Sequence, residues 1–148
     1  MIKIDTRQQW MSLLAKAPKG ALAAQVAALG TAPDYSWLRA PEIGGVMVRG
    51  RAGGTGSAFN MGEMTVTRCT LKLAETGAVG HAYVQGRDKD QARDAALVDA
   101  LMQTPRADDV RAKVLTPLAQ AMAQSRASRA AKAAATKVDF FTLARGED

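Results

Sequence analysis

A glycine-rich segment near the middle of the chain offers the clearest local chemistry. Six residues form this candidate site for an anion or a partner chain: Arg49, Arg51, Gly53, Gly54, Thr55 and Gly56. Glycines let backbone N–H groups turn toward an anion, and arginines add positive charge. The segment lacks the Lys-Ser/Thr of a P-loop and the spacing and βαβ setting of a dinucleotide-binding turn. A lone glycine-rich motif is a weak signal for anion binding, and the alternative is a tight connection between strands or a backbone surface for a partner chain.

Two further side chains have types that occur in catalysis. His81 is the only histidine and Cys69 the only cysteine. On a strand, His81 shares a face with Tyr83, so packing on a sheet surface is a simpler interpretation than general-base catalysis. Cys69 falls in the middle of an apolar strand, which favours a small core residue over a nucleophile.

A helix rich in both charges follows these strands. Its charged residues are Arg87, Asp88, Lys89, Asp90, Arg93, Asp94 and Asp99. Alternating signs at helical spacing are typical of a solvated, ion-paired face. We therefore predict no metal cluster here.

The net charge of +6 is concentrated in one segment. Residues 110–138 contain six basic residues and no acidic one, so the rest of the chain is neutral. Arg126, Arg129 and Lys132 are spaced i, i+3, i+6 and stay close to one helix face. Such a stripe can contact phosphates of a nucleic acid, or it can be a solvated helix face. The chain lacks an aromatic stacking set and a helix-turn-helix pattern, which speaks against nucleic acid.

Two adjacent aromatic residues, Phe140 and Phe141, lie close to the C-terminus. An apolar terminal segment needs cover, and in a small protein a partner chain often provides it. We therefore expect a partner contact at Phe140 and Phe141. For Arg126, Arg129 and Lys132, an acidic protein partner and an anionic ligand are further alternatives.

The elements that position these residues predict an α+β fold. Apolar spacing predicts an N-terminal helical hairpin, with helices over residues 7–17 and 20–29. Short strands are predicted at 35–39 and 45–49, separated by Pro41. A long strand over 63–73 and its hairpin partner over 79–85 complete a mostly antiparallel sheet.

The C-terminal third is predicted to be helical. Asp88 is a good N-cap, with Gln91 placed for a capping box, and Pro105 ends this helix. A further helix covers 108–116, and Thr116-Pro117 predicts either a new helix start or a kink. Residues 127–135 form an Ala-rich helical tract, and 138–144 a terminal extended segment. We find no linker, so residues 1–148 are predicted to form one domain.

Composition excludes several classes of protein. One cysteine cannot form an internal disulfide, and one Cys with one His cannot build a Cys/His zinc site. No apolar run approaches the ~18 residues of a membrane span. The N-terminal residues lack the features of a signal peptide. We therefore expect a cytoplasmic protein that has no membrane partner.

Five blocks together resemble the G subunit family of the bacterial carbon–phosphorus lyase core complex. The blocks cover residues 7–15, 51–56, 62–68, 84–88 and 138–146, in the family's order over nearly the whole chain. Val138-Asp-Phe-Phe141 is the most specific of them. Thr142-Leu143-Ala144 stands where the family has Thr-Met-Val.

The resemblance implies a role in phosphonate catabolism. In this family the G, H and I subunits, with the L protein, make α-D-ribose 1-methylphosphonate 5-triphosphate from ATP and methylphosphonate, releasing adenine. The I subunit carries the nucleosidase activity. The J subunit, a radical S-adenosylmethionine enzyme with an iron–sulfur cluster, later cleaves the C–P bond. Implied partners are the H, I and J subunits and a second G copy.

No catalytic constellation is evident in this chain, and its catalytic residues are unknown. We therefore expect a structural or assembly subunit of a transferase complex, without a cofactor of its own. The alternatives are a small basic nucleic-acid-binding protein and a self-sufficient enzyme that holds a phosphate ligand at the glycine-rich segment.

Overall fold

The computed structural model describes residues 2–138. Two short helices come first, α1 (Arg7–Ala15) and α2 (Ala21–Ala27). Three strands follow, β1 (Tyr35–Arg51), β2 (Ala58–Leu73) and β3 (Val79–Gln85). The remaining elements are α3 (Lys89–Leu101), α4 (Ala107–Val110), a π-helical turn (Arg111–Leu115) and α5 (Thr116–Ala135). The predicted α+β class is confirmed: helices precede the three strands along the chain, and further helices follow them.

Local sequence signals set the helix boundaries. Thr6 caps α1 in a capping box with Gln9, which satisfies two otherwise unpaired N–H groups. Asp88 caps α3 by accepting the Gln91 N–H at 3.0 Å. The Gln91 side chain instead bonds to Ala17 O at 2.8 Å and Gly20 N at 3.3 Å. The predicted capping box is therefore only half formed, because Gln91 ties α3 to the α1–α2 connection.

The strands form one antiparallel sheet in the order β1-β2-β3. Residues 66–72 of β2 pair with β3, whereas β1 and β2 continue pairing as far as Arg51 and Ala58. The sheet is therefore three-stranded near the helices and two-stranded beyond them. We call the two-stranded part, residues 45–65, the ribbon.

The hydrophobic core lies between α3 and the three-stranded part of the sheet. Cys69, Leu71 and Leu73 of β2 are 1%, 0% and 3% exposed. At Gly80 of β3 a Cβ atom would collide with Ala96 O and lie 2.8 Å from Ala100. Gly80 thus lets the α3 backbone lie directly on β3. Helix α1, the π-helical turn and the start of α5 contribute further buried residues to the same core.

Several predicted boundaries differ from the structure, and α1, α2 and α3 end at Ala15, Ala27 and Leu101, before their predicted ends. Pro41 does not divide β1, because register shifts at 37/39 and 39/42 let the strand pass through it. β2 begins at Ala58 rather than at 63. The helix predicted over 108–116 is α4 followed by a π-helical turn, directly before Pro117, which has no N–H to donate. The predicted extended segment at 138–144 lies almost wholly outside the described residues.

None of the helices between residues 2 and 138 is both long enough and apolar enough to cross a membrane.

Candidate interaction surface

The ribbon is the part of the sheet that the body of the protein leaves uncovered. None of residues 45–65 is buried. Met47, Phe59 and Met61 are 54%, 48% and 64% exposed. An isolated two-stranded hairpin is marginally stable in water. Exposed large apolar side chains on such a hairpin indicate an interaction surface.

Apolar side chains occur on both faces of this region. Ile43 lies opposite Thr67, on the face that α3 covers further along the sheet, and is 46% exposed. Met47 follows it on that face. Val46 and Val48 lie on the opposite face, where Val46 pairs with Met64, and all three are half-buried. Because both faces of the ribbon carry apolar side chains, a helix packed on one face, as α3 packs on the rest of the sheet, would leave the other face uncovered.

The two edge strands of the sheet, β1 and β3, differ in how far side chains cover their outer backbone groups. On β3, Val79 O accepts hydrogen bonds from Arg7 at 3.3 Å and Gln103 at 2.8 Å. The His81 N–H donates to the carboxylate of Asp99 at 2.9 Å. These side chains occupy the edge of β3 at Val79 and His81, which hinders the addition of another strand there.

The edge of β1 has no such cover. Its backbone pairs with β2 on one side, and none of the described residues hydrogen-bonds to its outer side. Every second N–H and C=O of an edge strand points away from its neighbour. β1 therefore presents an open template for strand pairing.

The glycine-rich segment is the tip of the ribbon. Ala52–Gly54 form a 3₁₀ turn, with φ of 60° at Gly53 and 82° at Gly54. The Gly56 N–H donates to Ala52 O at 2.8 Å, and Arg51 Nη1 donates to Gly56 O at 3.1 Å. These bonds close the turn, so the structure brings the six predicted residues together as a strand connection. Anion binding at this tip stays a prediction.

His81 and Cys69 occupy ordinary structural positions. His81 and Tyr83 are both exposed on the outer face of the sheet, and His81 Nδ1 lies 3.1 Å from Thr70 Oγ1. The Cys69 thiol donates to Ala92 O at 3.2 Å. Burial raises the pKa of the Cys69 thiol to about 11. At neutral pH this thiol stays protonated and is a poor nucleophile.

The expectation of a solvated acidic face on α3 is wrong for Asp99. This carboxylate is completely buried and accepts hydrogen bonds from Arg7, Trp10 Nε1 and the His81 N–H. The hydrogen bond to Asp99 raises the pKa of Arg7. Asp99 thus joins α1, α3 and β3. Its burial could not be predicted from the sequence, because it depends on pairing with Arg7, which is distant along the chain.

Asp94 is buried too, so the predicted solvation is also wrong for this acid, whereas the predicted ion pairing is confirmed for Asp90 and Asp94. Asp90 is exposed and pairs with Arg93 at 3.0 Å, while Asp94 is mostly buried and pairs with the same arginine at 2.8 Å. Among residues 2–138, no three His, Cys, Asp or Glu side chains are grouped closely enough to hold a metal ion.

The predicted basic stripe lies on an exposed part of α5. Residues 124–137 are exposed, including Arg126, Arg129 and Lys132. Arg126 also lines a cavity of about 330 Å³ with Lys3 and Lys16. Arg126, Arg129 and Lys132 thus lie together on α5, which is a different element from the ribbon. Phe140 and Phe141 lie outside the described residues.

Comparison of the sequence with known proteins places this chain among proteins of phosphonate metabolism. A family model described as "Phosphonate metabolism protein PhnG" matches residues 5–146. The chain belongs to this family. It is also 46% identical over 148 residues to the alpha-D-ribose 1-methylphosphonate 5-triphosphate synthase subunit PhnG of Rhizobium meliloti (strain 1021). The match covers 98% of this chain and 92% of the relative.

Proposed function

We propose that this chain is an assembly subunit of a carbon–phosphorus lyase complex. It supports the synthesis of α-D-ribose 1-methylphosphonate 5-triphosphate from ATP and methylphosphonate. The family membership and the similarity to a synthase subunit support the pathway. The ribbon, which exposes apolar side chains on both faces, is the observation that supports an assembly role.

The proposed partners are the H, I and J subunits and a second G copy. We propose no cofactor in this chain. ATP belongs to the synthase reaction, and the iron–sulfur cluster and S-adenosylmethionine belong to the J subunit. Because the reaction consumes ATP, we expect the complex in the cytoplasm.

Co-expression with the other subunits tests this proposal. A tagged copy of this chain should recover H, I and J subunits in fixed stoichiometry by size-exclusion chromatography with light scattering. With the L protein added, formation of α-D-ribose 1-methylphosphonate 5-triphosphate from ATP and methylphosphonate should require this chain. The isolated chain should form none. Full formation of this product by the remaining subunits, or by this chain alone, would contradict the assembly role.

The exposed cations of α5 favour one second candidate, a small basic nucleic-acid-binding protein. Arg126, Arg129 and Lys132 would then contact phosphates, and the affinity would fall steeply with salt. A labelled duplex incubated with the purified chain at low salt distinguishes the two functions. An assembly subunit leaves its mobility unchanged, whereas salt-sensitive retardation supports the second candidate.

A further inference from the structure

The glycine pair Gly44-Gly45 lies in β1 where the sheet becomes two-stranded. Neither residue has a left-handed φ. A Cβ at Gly44 would lie 3.7 Å from Arg68 Cζ, and one at Gly45 would lie 3.7 Å from Glu63 Oε2. These are ordinary van der Waals contacts. Nothing within the described residues therefore requires glycine at either position.

Three other glycines in or next to the sheet have a local reason. The Met61 side chain occupies the space of a Cβ at Gly50, and a Cβ at Gly56 would lie 2.7 Å from Ala52 O. Gly80 accommodates α3 in the same way. A glycine within a strand costs about 0.5–1 kcal/mol relative to alanine. Where the chain itself gives no reason for glycine, close approach of another backbone is a common one.

The glycine pair coincides with the open edge of β1. From Glu42 to Arg51, β1 has no register shift of its own, because the extra residue at 48/49 belongs to β2. Ten residues of extended backbone therefore offer their outer N–H and C=O groups. The opposite edge, on β3, is closed by Arg7, Gln103 and Asp99.

We propose that the open edge of β1, residues 42–51, pairs with an extended strand of a partner subunit, and that the body of the same partner packs closely on the faces of the sheet at Gly44 and Gly45. This inference rests on the proposed function, since it assumes a heteromeric complex. The added strand gives the ribbon a third strand and supplies hydrogen-bond partners to the outer backbone of β1. The body of the partner covers an apolar face of the ribbon.

A second copy of this chain fits the ribbon less well. Two ribbons paired edge to edge would form one four-stranded sheet, and strands added in the plane of a sheet cover neither of its faces. Ile43, Met47, Val46 and Val48 would then stay exposed on both sides. A partner that contributes both a strand and a packed surface covers the edge and a face together.

The test compares three tagged chains co-expressed with the H, I and J subunits. One is wild type, one carries Gly44→Val and Gly45→Val, and the matched control carries Lys72→Val and Gln85→Val. The control places two valines at exposed strand positions outside the open edge. Valine favours strands, so the glycine variant should keep the wild-type circular dichroism and unfolding midpoint.

We expect the glycine variant to be recovered in the complex at least tenfold less than wild type, and the control to be recovered normally. Hydrogen exchange at single amides gives a second readout on wild-type protein. Outward-facing amides of 45–51 should exchange at least tenfold more slowly in the complex. If the glycine variant fails to fold, amide exchange of the wild-type protein is by itself sufficient to test the proposal.

Normal recovery of the glycine variant, with unchanged amide exchange at 45–51, overturns the proposal. So does a dimer of the isolated chain in which the same amides are protected, because the occupant is then a second copy. If the wild-type chain recovers no partner subunit, the proposed function itself fails. Recovery of partners without protection of 45–51 removes only this inference.

Discussion

The two halves of the β1–β2 hairpin share one backbone geometry but have different surroundings. In the half next to α3, alternate residues of β2 are fully buried, and side chains occupy the outer edge of β3. In the ribbon, no residue is buried and the outer edge of β1 is open. The strands of the ribbon thus form although no helix packs on either of their faces. The covered half buries one of its faces within this chain, whereas the ribbon has neither face buried and has the properties of a surface that another chain completes.

Glycines mark the same difference. Gly80 is explained by the α3 backbone that lies on it, while Gly44 and Gly45 have no such neighbour in the chain. The first stabilises the fold, and we assign the other two to assembly. Changes in the covered half should therefore alter the free energy of unfolding. Changes in the ribbon should alter assembly and leave unfolding nearly unchanged.

The largest loss of stability is expected from Gly80→Val. The new side chain would collide with the α3 backbone at Ala96, so helix and sheet must separate. We expect a loss of about 3 kcal/mol or more in the free energy of unfolding, at the upper end of overpacking effects. Urea denaturation measures it, and a loss below 1 kcal/mol would contradict the close α3–β3 contact.

Asp99→Ala should have the next largest effect. It leaves Trp10 Nε1 and the His81 N–H without their acceptor and opens the closed edge of β3. Unpaired buried donors cost about 1–3 kcal/mol each. A total loss of about 2–3 kcal/mol is expected, because Arg7 can turn partly to water. Asp90→Ala, which removes an exposed acid from the same helix, is the control and should change stability little.

The buried thiol of Cys69 gives a smaller, pH-dependent effect. Its pKa of about 11 in the folded chain is above its ordinary value of 9.0, so the folded state disfavours the thiolate. The resulting stability is present below pH 9 and is lost as the pH rises toward 11. Wild type should therefore lose more stability over this range than Cys69→Ala. Parallel curves for both proteins would show that the thiol does not titrate in this way.

The smallest effect on stability is expected from Ile43→Lys combined with Met47→Lys. Both side chains are about half exposed, and exposed substitutions usually change stability by about 0.5 kcal/mol or less. Recovery in the complex should nevertheless fall several-fold, because two charges enter an apolar contact. The pair Lys72→Ala with Gln85→Ala should leave recovery intact. Equal recovery of all three proteins would exclude a docking role for this face.

Element types were predictable from the sequence because they depend on local patterns. The capping residue Asp88 and the bounds of β3 follow from such patterns. The burial of Asp99 and the closed edge of β3 were not predictable, since they depend on partners such as Arg7 that are about ninety residues away. The continuity of β1 through Pro41 was also missed, because pairing with β2 outweighs the local signal of proline.

The candidate site was predictable in part. The glycine-rich segment and the basic residues of α5 were recognisable from composition. The open edge of β1 was not, because an edge exists only once strand order is known.

A shortened hairpin separates the contribution of the ribbon to assembly from its contribution to folding. Val46 and Met64 are paired in the sheet, so an Asn-Gly turn can join them directly and replace residues 47–63. If the ribbon serves assembly alone, this chain should unfold within about 1 kcal/mol of wild type, like other changes at exposed positions. It should also be absent from the complex when co-expressed with the H, I and J subunits. Loss of the fold, or normal incorporation into the complex, would contradict the account.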